Sequence, residues 1–130
     1  MNWRNPKGYT VLYKVVQRVG GRLRPWADPL FEYVLGEWAT ANNRIAIMNP
    51  DASHMTGIHA WVDPAGAREY MRYATSSCGG SLCLLRLLVP DSTLLAPGTA
   101  GPSARIVPKA FVQAIGVPEG KHIVWERIMM

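Results

Sequence analysis

Residues 57–74, GIHAWVDPAGAREYMRYA, decide how this chain folds. The apolar opening of the stretch is typical of a short strand, and it runs into Asp63 and Pro64. Asp is a good helix N-cap, and Pro fits the first helical position, where a missing N–H costs nothing. The apolar positions that follow recur at helical spacing and lie on one face. They are Ala67, Tyr70, Met71 and Ala74. The stretch therefore predicts a strand that leads directly into a helix over residues 63–74.

Longer stretches on either side predict the strands of a sheet. Residues 9–19, YTVLYKVVQRV, are rich in β-branched and aromatic residues. LCLLRLLV is almost continuously apolar, so residues 83–89 are expected to form an interior strand covered on both faces. RIVPKAFVQAIGV, over 105–117, reads as one strand, and Pro108 places its start at an edge or a bulge. HIVWERIMM, over 122–130, closes the chain as a last strand.

The connecting segments carry weaker patterns. Residues 27–41, ADPLFEYVLGEWATA, begin with helix-start residues but then alternate, which favours an extended segment with a turn at Gly36 and Glu37. Residues 42–56 read as a loop around a short strand, RIAIM, and 90–104 as a connection too long for a hairpin turn. Because strands dominate around one clear helix, the predicted fold class is α+β, with a mixed or antiparallel split sheet.

The composition is that of a single folded domain. The 130 residues are 48% hydrophobic and 18% charged, which argues against disorder and allows a core without disulfides. No apolar run is long enough to cross a bilayer, and no apolar segment follows the N-terminal charges as in a signal peptide. We therefore expect one cytoplasmic domain over residues 1–130 that does not associate with a membrane.

Cysteine and histidine spacing argues against a metal site. Cys78 and Cys83 lie in CGGSLC, where the short loop makes a disulfide awkward, and two thiols cannot fill a zinc site. The histidines, His54, His59 and His122, lack the close pairing of metal motifs. We expect free, partly buried thiols and no metal.

A basic cluster follows the first strand. Arg18, Arg22 and Arg24 lie in QRVGGRLRPW beside Trp26, in a chain of net charge +5 and pI ≈ 9.6. Cations beside an aromatic ring can hold a nucleic-acid backbone or another anion and stack a base. No nucleic-acid-binding motif accompanies the cluster, so any such binding is expected to be weak. The alternative is a solvated hairpin whose charges keep the protein soluble.

The order of these elements resembles an ADP-ribosyltransferase fold over roughly residues 9–117. It is similar to the catalytic core of poly(ADP-ribose) polymerases, in which a Gly-Ile-Tyr-Phe-Ala segment enters a helix that carries a second tyrosine. Gly57, Ile58 and Tyr70 match that pattern, and His59 stands in place of the first tyrosine. SARIVPKAFVQAIGV is similar to the last strand of the small rifampicin-modifying ADP-ribosyltransferases.

The resemblance implies a cleft for NAD and candidate residues to bind it. Tyr13, Lys14, His59 and Tyr70 would converge on one concave surface. Lys14 stands where the family carries a histidine that bonds the ribose, and residues 108–110 lack the glutamate of the polymerases. Cleavage of the nicotinamide–ribose bond develops positive charge, which a carboxylate stabilises and a lysine opposes. A cleft made electropositive by Lys14 would suit an anion instead.

These features lead to one favoured function and two alternatives. The favoured function is a small, non-catalytic binding module on a degenerate ADP-ribosyltransferase-like scaffold, without a cofactor, that engages a protein or an anionic partner. Proteins of this size and charge are common among phage and mobile-element accessory proteins, which is analogy alone. The alternatives are a divergent NAD-dependent mono-ADP-ribosyltransferase and a structural or assembly protein. A transferase would need an acid at the ribose, and none of the nearest carboxylates is expected there: Glu37, Asp51, Glu119 and Glu126.

Overall fold

The structure is a computed structural model that describes residues 6–25, 32–40, 58–74, 81–92, 96–97 and 103–128. The described strands are β1 (Tyr9–Val19), β2 (Arg22–Pro25), β3 (Trp38–Thr40), β4 (Ile58–Trp61), β5 (Ser81–Pro90), β6 (Ala96–Pro97), β7 (Ala104–Val107), β8 (Lys109–Glu119) and β9 (His122–Ile128), and the described helix is α1 (Pro64–Ala74). Each of their pairings is antiparallel. The α+β class is therefore confirmed, with an antiparallel sheet.

β5 forms the centre of the sheet. It pairs with β1 along its whole length and with β8 along its middle. The side chains of residues 83–89 are buried on both faces. The prediction of an interior strand is confirmed, because an almost unbroken apolar run is stable only where both faces of a strand are covered.

The sheet curls so that two strands near its opposite ends come together. The strand order is β3-β8-β5-β1-β4-β7-β6, so β7 and β8 lie near opposite ends of it. Pro108 alone separates these two strands in the sequence, so the sheet has to bend round on itself. The prediction of one strand over 105–117 is therefore wrong. Proline has no N–H for a ladder, and the chain changes partner there, from β4 before Pro108 to β5 after it.

The inner side of the curl encloses the larger apolar cluster, called here the interior cluster. Every strand from β1 to β5 contributes to it, together with β7 and β8. Its members are Leu12, Val16, Leu23, Tyr33, Ala39, Ile58, Ala60, Cys83, Leu85, Leu87, Val89, Val107, Ala110, Val112 and Ile115. Along the strands these residues occur at alternate positions, which is the period that places side chains on one face of a sheet, and the one break, between Val112 and Ile115 of β8, coincides with a register shift in the β5–β8 ladder.

Helix α1 packs on the outer side of the sheet, as its apolar spacing predicts. Asp63 Oδ1 accepts a 2.7 Å hydrogen bond from the Gly66 N–H, so the predicted N-cap and helix are confirmed. Ala67 and Met71 are buried in a second apolar cluster, called here the helix-side cluster. That cluster comprises Val15, Trp61, Ala67, Met71, Leu84 and Ala104, with Tyr13, Tyr70, Leu82, Ile123 and Trp125 partly buried against it.

Residues 32–37 follow the extended course that the sequence predicts. The Tyr33 N–H donates a 2.8 Å hydrogen bond to the Leu23 carbonyl oxygen, and the two residues form an antiparallel bridge. Gly36 has a φ of +83°, a left-handed conformation that glycine adopts without steric cost. The predicted turn at Gly36 is therefore confirmed, and β3 follows it.

Some predictions concern residues outside those that the structure describes. They are the loop over 42–56 with its strand RIAIM, Gly57, Trp26 and Cys78. Cys83 is described, and it is a buried, free thiol. Within the described residues, no helix combines the length and the apolar character needed to cross a membrane.

Candidate functional site

A cleft opens where the β1–β2 hairpin, residues 32–35 and the β8–β9 hairpin approach one another. It encloses about 440 Å³ and is called here the hairpin cleft. Its lining residues are Arg18, Gly21, Leu23, Glu32, Tyr33, Val34, Leu35, Ile115 and Glu126. Leu23, Tyr33 and Ile115 also belong to the interior cluster. The floor of the cleft is therefore the surface of the core.

Two tight turns shape the walls of the hairpin cleft. Gly20 and Gly21, with φ of +59° and +79°, join β1 to β2, and Gly120, with φ of +61°, begins the two-residue link from β8 to β9. Positive φ in a two-residue loop matches the twist of the flanking strands. Because loop length sets the register of a hairpin, these turns bring Arg18 and Glu126 to the cleft.

Arg18, Glu32 and Glu126 form the charged rim of the cleft. Arg18 Nη2 donates to Glu126 Oε2 at 3.1 Å, and Arg22 Nε, which does not line the cleft, lies 3.9 Å from Glu32 Oε1. The first pair has side chains 36% and 44% exposed, so water screens the attraction and it stabilises the fold little. The pair contributes to the shape of the cleft, because it joins β1 to β9 across it.

Cys83 lies in the interior cluster, and the charges of Arg18 and Glu126 act on its thiol. Burial raises the pKa of its thiol to about 11, while the charge of Arg18 lowers it and that of Glu126 raises it to lesser extents. Only the thiolate is a nucleophile, so Cys83 is inert at neutral pH. Its contribution is to packing.

Lys14 is buried in the interior and does not line the hairpin cleft. Its Nζ donates a 2.8 Å hydrogen bond to the His59 carbonyl oxygen and lies 5.9 Å from the centre of the Tyr33 ring. The residue is 9% exposed, and burial lowers the pKa of its ammonium to about 8. β1 meets β4 through the single pair Tyr13↔Trp61. Lys14 therefore bonds a β4 carbonyl where the ladder between these strands is not continued.

The other three candidate cofactor residues lie on the helix side of the sheet. The ring centres of Tyr13 and Trp125 are 6.2 Å apart, and those of Tyr70 and Trp61 are 4.9 Å apart. Strand alternation places His59 on the same face as Trp61. Both tyrosines are thus packed against aromatic and apolar side chains of the helix-side cluster.

The predicted convergence of the four candidates on one concave surface is therefore wrong at Lys14. Neighbouring residues of a strand point to opposite faces, so Tyr13 and Lys14 cannot line one surface formed by β1. None of the four candidates lines the hairpin cleft. A role in binding NAD stays a prediction for these residues.

Arg86 occupies the centre of the helix side. Its Nε donates to Gln113 Oε1 at 2.8 Å, and its Nη1 donates to the Tyr13 hydroxyl oxygen at 3.1 Å. Burial lowers the pKa of the guanidinium, while Tyr13 raises it through its charge and its hydrogen bond. Neutral oxygens from the two neighbouring strands thus accept from this buried cation.

The three arginines of the basic cluster do not lie side by side. In the β1–β2 ladder Arg18 is opposite Leu23, and Arg22 and Arg24 occupy the alternate positions of β2. Cross-strand partners share a face, so Arg18 lies on the cleft side with Leu23, and alternation places the other two arginines on the opposite face. Binding of nucleic acid or another anion by this cluster stays a prediction.

The lining of the hairpin cleft combines almost fully buried apolar side chains at its floor with one guanidinium and two carboxylates at its rim. Within the described residues, no group of three or more His, Cys, Asp or Glu side chains is placed to hold a metal ion.

Comparison with known proteins supplies no counterpart for this arrangement: no family model, no curated protein and no solved structure matches the chain. The sequence reasoning missed most residues of the cleft. Tyr33 and Leu35 were interpreted only as parts of an extended segment, and Glu126 only as an acid for a ribose. The opposite charges of Arg18 and Glu126 were the available signal, but the first and last strands carry them far apart in the sequence.

Proposed function

We propose that this protein is a small, non-catalytic binding module that engages a partner protein through the hairpin cleft. The composition of the cleft carries the proposal. Its floor is formed by Leu23, Tyr33, Leu35 and Ile115, and its rim by Arg18, Glu32 and Glu126. Leu23, Tyr33 and Ile115 are almost fully buried, so a partner would make its apolar contacts mainly with Val34 and Leu35 and its polar contacts with the rim. Apolar contacts surrounded by polar ones are the usual arrangement of a protein–protein interface. The volume of about 440 Å³ is enough for a few side chains of a partner.

A protein partner suits the cleft better than a simple anion. Arg18 at the rim already faces Glu126, and Arg22 faces Glu32. Val34, which also lines the cleft, is 44% exposed and offers an apolar contact that an anion would not use. The lining therefore favours a polypeptide segment with apolar side chains.

We propose further that the module uses an ADP-ribosyltransferase-like scaffold without its catalytic residues. The support is the arrangement of elements: β4 runs directly into α1, and the central strand β5 pairs with the long antiparallel strand β8, which follows β6 and β7 in the chain. The burial of Lys14 on the face opposite Tyr13 is consistent with the loss of an NAD site.

The proposed function is tested by selecting a displayed library of random peptides on the wild-type protein. Val34→Glu places a charge in the cleft, and Val62→Glu places the same charge on a valine 38% exposed beside α1. We expect selected peptides to bind wild type and Val62→Glu with equal affinity. Val34→Glu should weaken binding by about tenfold, equivalent to about 1.4 kcal/mol. Calorimetric titration measures the affinity of the selected peptides for wild type and for each variant.

Two results would contradict the proposed function. One is a library in which no peptide is enriched over a column without protein. The other is a set of peptides that bind Val34→Glu as tightly as wild type, because such peptides use another surface.

A divergent NAD-dependent mono-ADP-ribosyltransferase is the second candidate function, and one observation favours it. Glu126 lies in the cleft, and a carboxylate beside an open cleft could stabilise the positive charge that develops on a ribose. Incubation with NAD and measurement of free nicotinamide test this candidate. We expect no release above that in buffer. Release by the wild type that Glu126→Gln abolishes would instead establish the transferase.

A further inference from the structure

The β8–β9 hairpin leaves the main sheet at Gly116. β5 pairs with β8 only as far as Leu84↔Gly116, whereas its first three residues continue to pair with β1. A register shift in the β8–β9 ladder marks the same point, between Ile115 and Gly116. Residues 117–124 thus form a two-stranded ribbon, and such a ribbon has little stability by itself.

The side chain of Arg68, on α1, joins the tip of this ribbon to the body of the protein. Its Nη2 donates to the Gly120 carbonyl oxygen at 2.7 Å, and its Nη1 donates to the Lys121 carbonyl oxygen. These are the two residues of the hairpin turn, so one planar guanidinium holds both acceptors in a defined geometry. α1 is itself anchored to the sheet by the buried residues Ala67 and Met71.

The same hairpin forms one wall of the hairpin cleft. Glu126 of β9 faces Arg18 at 3.1 Å, and Ile115 at the base of the hairpin lines the floor. A Cβ on Gly116 would lie 2.8 Å from the Trp125 ring, so the hairpin packs closely on itself at its base. Glu126 directly follows Trp125, the partner of Gly116 at the base of the ribbon, so a change in the angle of the ribbon would move Glu126 relative to Arg18.

We propose that Arg68 is a positioning residue for the hairpin cleft. By holding the β8–β9 turn, it sets the separation of β9 from β1 and with it the width of the cleft that receives the partner protein. The role of the partner rests on the proposed function, whereas the effect of Arg68 on β9 does not.

Hydrogen exchange of backbone amides tests whether Arg68 holds the β8–β9 turn. Arg68→Gln removes the guanidinium, and the matched control Lys121→Gln removes a positive charge at the same turn but keeps the carbonyl acceptor. We expect the amides of Val117 and of residues 119–124 to exchange about tenfold faster in Arg68→Gln, since hydrogen bonds from a charged group are lost. Exchange in Lys121→Gln should stay within about twofold of wild type. Equal exchange in the two variants would overturn the proposal.

A double-mutant cycle separates positioning of the cleft from stability of the turn. The coupling of Arg18 to Glu126, measured with Arg18→Gln and Glu126→Gln, should change the unfolding constant about twofold in wild type. It should vanish in the Arg68→Gln background. Coupling that survives Arg68→Gln would overturn the positioning role. If exchange and coupling respond as expected but no library peptide binds the cleft, the proposed function fails and the positioning role stands.

Discussion

The two faces of the central sheet each bury a cation, and they accommodate it in different ways. On the inner face, Lys14 is buried near the Tyr33 ring and bonds the backbone carbonyl of His59. On the helix side, Arg86 donates to the side chains of Gln113 and Tyr13. An ammonium can lose its proton when it is buried, whereas a guanidinium keeps its charge at any accessible pH. The inner face can therefore tolerate its cation by deprotonation, but the helix side has to supply acceptors.

The largest effect is expected from Lys14, as a dependence of stability on pH. In the unfolded chain this lysine has a pKa of 10.5, and burial lowers it to about 8 in the folded state. Between these values the unfolded state holds the proton and the folded state does not, so stability rises with pH. Below about pH 8 the full cost of burial is present. The free energy of unfolding in urea should therefore increase by about 3 kcal/mol from pH 8 to pH 10.5.

Lys14→Met isolates this effect from other groups that titrate in the same range. The difference in stability between wild type and variant should carry the whole pH dependence assigned to Lys14. At pH 7 the variant should be more stable by about 2 kcal/mol, since relief of the buried charge outweighs the lost bond to His59. A difference that does not change between pH 8 and pH 10.5 would contradict this account of the inner face.

Arg86→Met should lower the stability of the protein, whereas Lys14→Met should raise it. The variant leaves the buried oxygen of Gln113 without this donor, so the free energy of unfolding at pH 7 should fall by about 2 kcal/mol. Because the guanidinium stays charged, the difference from wild type should be the same at pH 7 and pH 10. Urea denaturation at both values measures it. A variant as stable as wild type would show that the helix side does not depend on its acceptors.

Of these substitutions, Tyr13→Phe should change the free energy of unfolding least. It removes one acceptor of Arg86 and keeps the ring against Trp125, so we expect a loss of about 1 kcal/mol. In the Arg86→Met background the same change should cost much less, because the bond is already gone. Additive losses would place the effect of Tyr13 outside its contact with Arg86.

Predictions from the sequence succeeded where the signal is local. Asp63 and Pro64 predicted the start of α1, because capping depends on residues within one turn of a helix. The apolar run over 83–89 predicted a central strand, because only burial on both faces stabilises it. The prediction of one strand over 105–117 failed, because its two halves have different partners on either side of Pro108.

The candidate site was less accessible to sequence reasoning. Strand alternation places Tyr13 and Lys14 on opposite faces of β1, whereas the family resemblance implies that they share one surface. The opposite charges of Arg18 and Glu126 were too weak a signal to predict that they meet, since 108 positions separate them along the chain. Arg68 carried no motif either, because its acceptors are backbone carbonyls, which every residue has.

Local patterns are enough to place the described helix and the strands β1, β5 and β9, since capping, turn chemistry and hydrophobic period act over a few residues. The curl of the sheet, the burial of Lys14 and the cleft enclosed by β1, residues 32–35 and β9 arise only in the folded chain. The reason is that strand partners are chosen by the pairing energy of whole strands and by the closure of the curl at Pro108. These are long-range terms that no local pattern in the chain encodes.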